Sequence, residues 1–414
     1  KNHSPQKGLK GSFLLKKGPF MNTATADINP YLGILSKYKT SDRFQVIYQI
    51  STSDYKEALE RAKSIAIEQT IECPYSLVEN TFIAETIVGK IETVTKMDPT
   101  HYVVCISYDT QAIGNEFTAF VNTLFGNSSL SYGIRLLAFS IPKRMSNQFK
   151  GPRLGINKLR NLVQVNKEPI LMSAIKPLGT SVEKLASMVY ELASGGCSII
   201  KDDHNLMNQS YAPFTSRVQA CVNAIQAAYE ETGYKALYIA NCNGDGTEVY
   251  NRAYEAKKLG ADGIMISPGL VGFGAIHQLS QDPNFNLPIF AHPSFAGPLT
   301  TTEQSGISPY CYFGQLTRLA GCDASIFTSF NGRFSYTKET CLSISKAATE
   351  PLHNISPMFP VPAGGMKSEL FSSMYQVYGA DVIFLVGGAL LTHSNNLTQS
   401  TKFFRKQIKN LMNN

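Results

Sequence analysis

One short stretch of the chain combines the side chains that could hold a divalent cation. An apolar run at residues 197–200 leads directly into Lys201, Asp202, Asp203 and His204. Successive strand residues point to opposite faces, so Lys201 and Asp203 share one face and His204 joins them where the strand ends. Oxygen and nitrogen donors on a rigid strand end are suitable ligands for a divalent cation. The stretch predicts a metal site, and the alternative is a solvated charged turn.

Single basic residues follow three other apolar runs. Lys176 comes directly after residues 169–175, His292 after 287–291, and Arg333 lies in the loop that follows 323–327. A lysine near a cation has a lowered pKa and can serve as an acid or base, and a histidine can shuttle protons. An arginine in such a loop could pair with phosphate or with a developing oxyanion. The alternative interpretation is a surface lysine and a structural histidine.

Two glycine pairs follow the last two apolar runs and precede helical segments. They are Gly364-Gly365 and Gly387-Gly388. Glycine lets a backbone approach an anion closely, and helix N-termini bind phosphate through free N–H groups. The pairs therefore predict a phosphate site, and the alternative is that they only form turns.

The order of apolar runs indicates what positions these residues. Beyond residue 151, short apolar runs alternate with helical segments, and eight strands are expected, at 169–175, 197–200, 236–240, 262–266, 287–291, 323–327, 357–361 and 380–386. Buried parallel strands read as continuous apolar runs. Eight such units in about 250 residues predict a (β/α)8 TIM barrel, which places an active site at the carboxyl ends of its strands. Residues 151–414 are thus expected to form this barrel with a C-terminal helical tail.

A different pattern precedes the barrel. Residues 21–150 contain a strand at 44–52, a helix at 55–69, strands at 84–96 and 101–109, a helix at 113–124 and a strand at 133–142. This order is typical of a ferredoxin-like α+β domain. Residues 1–20 carry five lysines and no acidic residue, and we expect a tag or a disordered extension there. The predicted fold class is α/β, a ferredoxin-like domain followed by a TIM barrel.

Composition excludes several classes of protein. No apolar run is long enough to span a membrane, so no membrane partner is expected. The five lysines of residues 1–20 account for five of the seven net positive charges, and the remaining +2 argues against nucleic acid binding. Eight cysteines occur without a CxxC pair, which indicates reduced thiols and a cytoplasmic protein.

From about residue 30 to the C-terminus, the chain resembles the large chain of ribulose bisphosphate carboxylase (RuBisCO), and most of all the form IV RuBisCO-like proteins. Residues 195–204, GGCSIIKDDH, are similar to the family's GGxDFxKDDE. Residues 175–181 (IKPLGTS), residues 149–156 (FKGPRLGI) and the two glycine pairs also carry the resemblance. It implies the same two-domain fold that the strand pattern predicts.

The resemblance also implies roles for individual residues. Lys201 matches the lysine that CO2 carbamylates to give an oxygen ligand for Mg²⁺, and Asp203 matches a metal aspartate. Lys176 and His292 match active-site residues, and the glycine pairs match phosphate-binding positions. Glu68 matches a glutamate that reaches the active site of the partner subunit. A homodimer or a higher assembly of dimers, acting on a phosphorylated small molecule, is therefore implied.

Several departures from the family pattern bear on function. His204 replaces the second metal carboxylate, which favours Mn²⁺ or another divalent transition metal over Mg²⁺. The second lysine of the family's KPKLG motif is absent, because Leu178 follows Pro177 directly. Pro293 stands where the family has an arginine that holds a phosphate. Arg333 stands where the carboxylase has the lysine that orients CO2, and an arginine does not imitate a lysine point charge.

These departures predict the first half of the family reaction without productive CO2 fixation. A metal polarises a ketone of a phosphorylated sugar or thiosugar, and Lys176 or His292 moves the adjacent proton, which is enolisation leading to tautomerisation or isomerisation. The same chemistry also fits a decarboxylase or transcarboxylase acting on a phosphorylated keto sugar acid. A ribulose bisphosphate carboxylase and a non-catalytic binding protein are the two remaining hypotheses.

Overall fold

The structure, a computed structural model, describes residues 32–334 and 336–413. The extension predicted for residues 1–20 lies outside the described residues. The chain divides into two compact units. One contains the described residues up to Arg144 together with Thr302–Ser308, and the other contains Met145–Thr301 and the chain from Pro309 onwards. The junction predicted at residue 151 lies within the second unit.

The first part of the chain forms strand, helix, two strands, helix and strand in the predicted order, preceded by one short helix. These elements are α1 (Leu32–Lys37), β1 (Arg43–Ser51), α2 (Tyr55–Glu68), β2 (Lys90–Asp98), β3 (His101–Asp109), α3 (Phe117–Phe125) and β4 (Ile134–Ser140).

The rest of the chain mostly alternates strands with helices. Its elements are α4 (Lys143–Gln148), α5 (Gly155–Val163), β5 (Ile170–Ile175), α6 (Val182–Ser194), β6 (Ile199–Asp202), α7 (Phe214–Thr232), β7 (Leu237–Asn241), α8 (Glu248–Lys258), β8 (Gly263–Ile266), α9 (Pro268–Val271), α10 (Phe273–Gln281), β9 (Ile289–Ala291), α11 (Gly297–Thr300), β10 (Gly306–Ile307), α12 (Thr317–Ala320), β11 (Ala324–Thr328), α13 (Lys338–Thr349), β12 (Phe359–Ala363), α14 (Phe371–Tyr378), β13 (Ile383–Leu385), α15 (Gly388–Leu391) and α16 (Leu397–Asn410).

A five-stranded sheet with the order β10-β4-β1-β3-β2 forms the centre of the first unit. Strand β1 pairs antiparallel with β3 and β4, and β2 pairs antiparallel with β3. The short β10, which comes from far along the chain, adds to the edge of β4 in parallel. Helix α2 begins where the Asp54 carboxylate accepts the backbone N–H of Lys56 at 2.9 Å, an ordinary N-cap. The unit is therefore the expected α+β arrangement.

One predicted strand begins later than its sequence indicates. Residues 83–87 form a single π-helical turn, and β2 starts only at Lys90. Gly89 separates the two, and a Cβ there would lie 2.8 Å from the Tyr108 ring. The β-branched residues of this segment favour a strand. The close approach of the backbone to Tyr108 instead marks where the chain changes direction.

The second unit is a barrel of eight parallel strands with the order β12-β11-β9-β8-β7-β6-β5-β13. Strands β12 and β13 lie next to each other, which closes the sheet. This confirms the predicted TIM barrel. A cluster of buried apolar side chains fills it, contributed by every strand and by α5: Ile156, Leu159, Val163, Ile170, Met172, Ile199, Leu237, Ile239, Met265, Phe290, Ala324, Ile326, Phe359, Val361, Ile383 and Leu385.

Because strand side chains alternate between two faces, polar residues at the carboxyl ends of β6 and β7 lie on the same inward face as the core residues. Ile199 belongs to the core, so Lys201, two residues further along β6, lies on the same inward face. Leu237 and Ile239 lead to Asn241 on β7 in the same way. Within the described residues, no helix combines the length and the apolar character needed to cross a membrane.

Candidate active site

Lys201 is a buried amine at the carboxyl end of β6. Its residue is 3% exposed, and its Nζ donates a hydrogen bond to the carbonyl oxygen of Asp202 at 2.9 Å. Burial lowers the pKa of this lysine to about 8, since it outweighs the attraction of Asp203, and the nearby Lys176 charge acts in the same direction as burial. A lysine with such a pKa is neutral in about a tenth of the molecules at pH 7. Only the neutral amine can react with CO2 to form a carbamate.

Asp203 lies between two basic side chains. Its Oδ2 is 3.0 Å from Lys176 Nζ, and its Oδ1 is 3.3 Å from His204 Nδ1. The backbone N–H of Asn205 also donates to Oδ1 at 3.0 Å. Burial alone would raise the pKa of this carboxyl, but the Asn205 hydrogen bond and the Lys176 charge lower it further than burial raises it. Asp203 is therefore an ionised carboxylate beside Lys201 and Lys176.

His204 and His292 stack against each other at the same end of the barrel. Their ring centroids are 4.8 Å apart and the planes differ by 8°. The backbone N–H of Ser294 donates to His292 Nδ1 at 3.2 Å, so the ring proton of neutral His292 sits on Nε2. Burial, then the charges of Lys201, His204 and Lys176, lower the pKa of His292 well below its usual value. His292 is thus a neutral ring with an N–H to donate.

A buried network on the other side of β6 holds this segment in place. The Asp202 carboxylate accepts the Tyr238 hydroxyl at 2.7 Å, the backbone N–H of Asn241 at 2.9 Å and an Arg217 guanidinium N–H at 3.3 Å. The Asn241 side-chain amide donates to the carbonyl oxygens of Asp203 and His204, at 3.2 and 2.9 Å. Asn241 therefore fixes the backbone of Asp203 and His204, two of the three predicted metal ligands.

Sequence reasoning missed these supporting residues. Asn241 was visible only as a polar residue after an apolar run, and Tyr238 and Arg217 resemble ordinary strand and helix residues. Their roles depend on side-chain contacts between β6, β7 and α7, which no local pattern reveals. A signal was available in Asp202 itself, because a carboxylate on the buried face of a strand requires partners.

The two glycine pairs differ in what surrounds them. Gly364 and Gly365 have φ of +88° and +112°, and a side chain on Gly332 would clash with the Gly364 carbonyl. The Arg333 backbone N–H donates to that same carbonyl at 2.8 Å, so this pair accommodates the neighbouring loop. A Cβ on Gly387 or Gly388 would meet nothing within 4 Å. The backbone of the second pair is therefore accessible from open space.

The remaining predicted residues are exposed or lie in the other unit. Arg333 is exposed, and its guanidinium carbon lies 5.7 Å from the Phe334 ring centroid. Glu68 ends α2 in the first unit, where its carboxylate accepts a hydrogen bond from the Asn127 amide at 3.0 Å. Its predicted role beside a partner's site stays a prediction.

The side chains fit a divalent cation only if Lys201 is modified. Across residues 32–334 and 336–413, no group of three or more His, Cys, Asp or Glu side chains is arranged to hold a metal. Asp203 and His204 supply one carboxylate and one imidazole close together. A carbamate on the adjacent Lys201 would add the oxygen donor that completes a set of three. This combination of oxygen and nitrogen donors suits Mg²⁺ less well than Mn²⁺.

The candidate active site consists of a buried lysine, an ionised aspartate and two stacked histidines at the carboxyl end of a TIM barrel. Comparison with known proteins identifies the family to which the chain belongs. The family described as "Ribulose bisphosphate carboxylase large chain, catalytic domain" matches residues 155–412. The chain belongs to this family.

Relatives of this chain include RuBisCO-like proteins with named activities. It is 36% identical to the 5-methylthioribulose-1-phosphate isomerase of Rhodospirillum rubrum over 367 residues, which cover 88% of this chain and 96% of that protein. It is 33% identical to the 2,3-diketo-5-methylthiopentyl-1-phosphate enolase of Geobacillus kaustophilus over 307 residues, 74% of each chain. The crystal structure of a Rubisco-like protein from Rhodopseudomonas palustris matches with a TM-score of 0.81 and 31% identity, covering 90% of this chain and 99% of that one. The predicted resemblance to RuBisCO-like proteins is confirmed.

Proposed function

We propose that the protein is a RuBisCO-like enolase or isomerase that enolises a phosphorylated thiosugar ketone. The observation that carries the proposal is the ionised Asp203 held between Lys176 and His204 beside the buried amine of Lys201. The two relatives described above are named for 5-methylthioribulose 1-phosphate and 2,3-diketo-5-methylthiopentyl 1-phosphate. Both compounds carry one phosphate and an apolar methylthio end, and we propose them as the substrate class.

The roles of the residues follow from their positions. Carbamylated Lys201, Asp203 and His204 would hold Mg²⁺, Mn²⁺ or another divalent metal, which when bound polarises the substrate carbonyl. Lys176 Nζ lies 3.0 Å from Asp203. In its neutral form this amine takes the proton from the carbon next to the substrate ketone, and as the ammonium it returns the proton in the second step. Neutral His292 donates its Nε2–H to a substrate oxygen. Lys176 is thus the proton carrier in this proposal, and His292 stabilises the oxygen that gains charge.

The loops around the barrel mouth suit a substrate with one phosphate and one apolar end. Gly387 and Gly388 offer accessible backbone for the phosphate, with Gly364, Gly365 and Arg333 on the neighbouring loops. Large apolar side chains are exposed on the segments that follow β5, β8, β9 and β11: Leu178, Leu270, Phe295 and Phe334. Such side chains favour an apolar group at the other end of the substrate.

Assembly and location complete the proposal. We propose a homodimer, or a higher assembly of dimers, in which Glu68 of one subunit completes the site of its partner. All eight cysteines are free thiols, seven of them buried, which supports the predicted cytoplasmic location.

A turnover assay tests the proposed function. The protein is incubated with bicarbonate, Mg²⁺ or Mn²⁺ and each thiosugar phosphate, and products are followed by ¹H and ³¹P NMR. We expect conversion of one of them without carbon loss, abolished in Lys201→Ala and retained in Lys184→Ala, an exposed lysine on α6. Carboxylation of ribulose bisphosphate, CO2 release from a keto acid, or full activity in Lys201→Ala would contradict the proposal.

A further inference from the structure

We infer that the barrel carries a second anion site, for a phosphate group, at the end opposite the candidate active site. A cavity of about 240 Å³ lies at the amino ends of β5, β6 and β7. The loops before these strands and the C-terminal helix α16 form its walls. The proposed enolisation uses none of these residues.

Positive charge dominates the lining of this cavity. Lys235, Arg405 and Lys409 line it, against one acidic lining residue, Glu168. Among the described residues, no ion pair joins any of these three cations to a carboxylate. Tyr234 also lines the cavity, and the positive charge around it lowers the pKa of its hydroxyl. The largest cause is a hydrogen bond from Arg405, followed by the charges of Arg405 and of nearby lysines. An anion in the cavity would therefore gain attraction without displacing a carboxylate.

Arg405 is held in place for such a contact. Its guanidinium carbon lies 4.1 Å from the centroid of the Tyr234 ring, a close cation–π contact. Its side chain also rests on Gly196, where a Cβ would lie 2.7 Å from Arg405 Cδ. A guanidinium already fixed by its neighbours loses little freedom when it binds phosphate, and its N–H groups match phosphate in a bidentate way.

Neutralisation of helix ends is the competing explanation for these cations. Helices α5, α7 and α16 end beside the cavity, and basic side chains commonly bond the last carbonyls of a helix. In the described part of the chain, however, the side chains of Lys235, Arg405 and Lys409 donate no hydrogen bond to a backbone carbonyl. The ammonium groups of Lys235 and Lys409, and the Arg405 N–H groups that do not bond Tyr234, therefore remain available to a ligand.

The size of the cavity limits the ligand. Pockets for drug-sized ligands measure roughly 300–1,000 Å³. A cavity of about 240 Å³ is smaller, so it suits inorganic phosphate or the phosphate group of a small metabolite.

A single tryptophan placed in the cavity wall tests the inference. The 414-residue sequence contains no tryptophan, so Tyr234→Trp keeps an aromatic ring against Arg405 and creates the sole indole fluorophore of this chain. We expect a saturable fluorescence change on titration with inorganic phosphate or with glycerol phosphate at low salt. Adding Arg405→Gln should weaken binding about tenfold or more. Lys406→Gln, an exposed lysine of α16 outside the cavity, should leave it unchanged. If glycerol phosphate binds more tightly than inorganic phosphate, the site is one for a phosphorylated metabolite. If the two bind equally, the site is one for the free phosphate ion.

A second measurement covers the failure of a variant to fold. Hydrogen exchange of the unmodified protein with phosphate should protect residues 196–198, 233–235 and 405–409. If Arg405→Gln does not unfold cooperatively on heating, the Lys409→Gln variant is used in its place. No saturable signal and no protection, or an affinity unchanged in both Arg405→Gln and Lys409→Gln, would overturn the inference.

Discussion

Replacing Asn241 with alanine should loosen the segment that carries Asp203 and His204, two of the three predicted metal ligands. The Asn241 amide donates to the carbonyl oxygens of Asp203 and His204, and its Oδ1 accepts the backbone N–H and the side-chain amide of Asn243, at 3.1 and 2.8 Å. The residue is fully buried, so water does not replace these bonds. Four hydrogen bonds at about 1 kcal/mol each predict a loss of about 4 kcal/mol in the free energy of unfolding.

Asn241→Asp distinguishes the hydrogen bonds that Asn241 donates to Asp203 and His204 from those that it accepts from Asn243. It keeps the acceptor for Asn243 but loses both donations to the ligand segment, and the new buried carboxylate faces two carbonyl oxygens. Its unfolding free energy should therefore fall by more than the about 2 kcal/mol of the lost hydrogen bonds. Residues that orient metal ligands typically contribute 10–100-fold in metal affinity. We therefore expect both variants to bind Mn²⁺ at least about tenfold more weakly, by calorimetry in bicarbonate buffer.

A matched control makes the result interpretable. Asn251→Ala removes an exposed amide on α8 that bonds only Glu248 in the structure, and it should change neither stability nor metal affinity. Urea unfolding measures the first quantity and calorimetry the second. If Asn241→Asp folds with unchanged Mn²⁺ affinity, Asn241 supports the fold alone and the positioning argument is refuted.

Three further predictions concern metal choice, pH and assembly. His204→Glu should shift the ratio of Mg²⁺ to Mn²⁺ affinity about tenfold or more towards Mg²⁺, since a carboxylate suits Mg²⁺ better; an unchanged ratio would remove His204 from the ligand set. Burial raises the pKa of Asp323 to about 6, so its contribution to stability should fall by about 2 kcal/mol as the pH rises from 4 to 6. Urea unfolding of Asp323→Asn should lack this slope, and identical pH profiles would contradict it. Mixed dimers of Glu68→Gln and Lys201→Ala should recover partial activity, and well-folded mixed dimers without activity would refute a shared site.

The sequence predicts those parts of the fold that depend on local patterns. Continuous apolar runs identify the barrel strands, and a period of two places Lys201 on the face of Ile199. The sequence does not predict that β2 begins only at Lys90, because this depends on the close approach of Gly89 to Tyr108. The addition of β10 to the first sheet escapes it because the pairing joins residues far apart in the chain.

The candidate site was predictable in residue type but not in its contacts. Lys176 and Asp203 follow different strands, and their 3.0 Å ion pair depends on how neighbouring strands are aligned. The same holds for the stacking of His204 on His292. Gly364 looked like a phosphate residue, yet its close contact with Gly332 gives it a packing role that the glycine pair alone does not reveal.

Exchange of substrate protons with solvent tests the central claim most directly. The protein is incubated in D2O with bicarbonate, Mn²⁺ and a thiosugar ketone phosphate, and the carbon next to the ketone is followed by ¹H NMR. The proposed enolisation predicts metal-dependent deuterium incorporation at that carbon, lost in Lys201→Ala and retained in Lys184→Ala. Metal-bound protein that incorporates no deuterium into either thiosugar phosphate would contradict it.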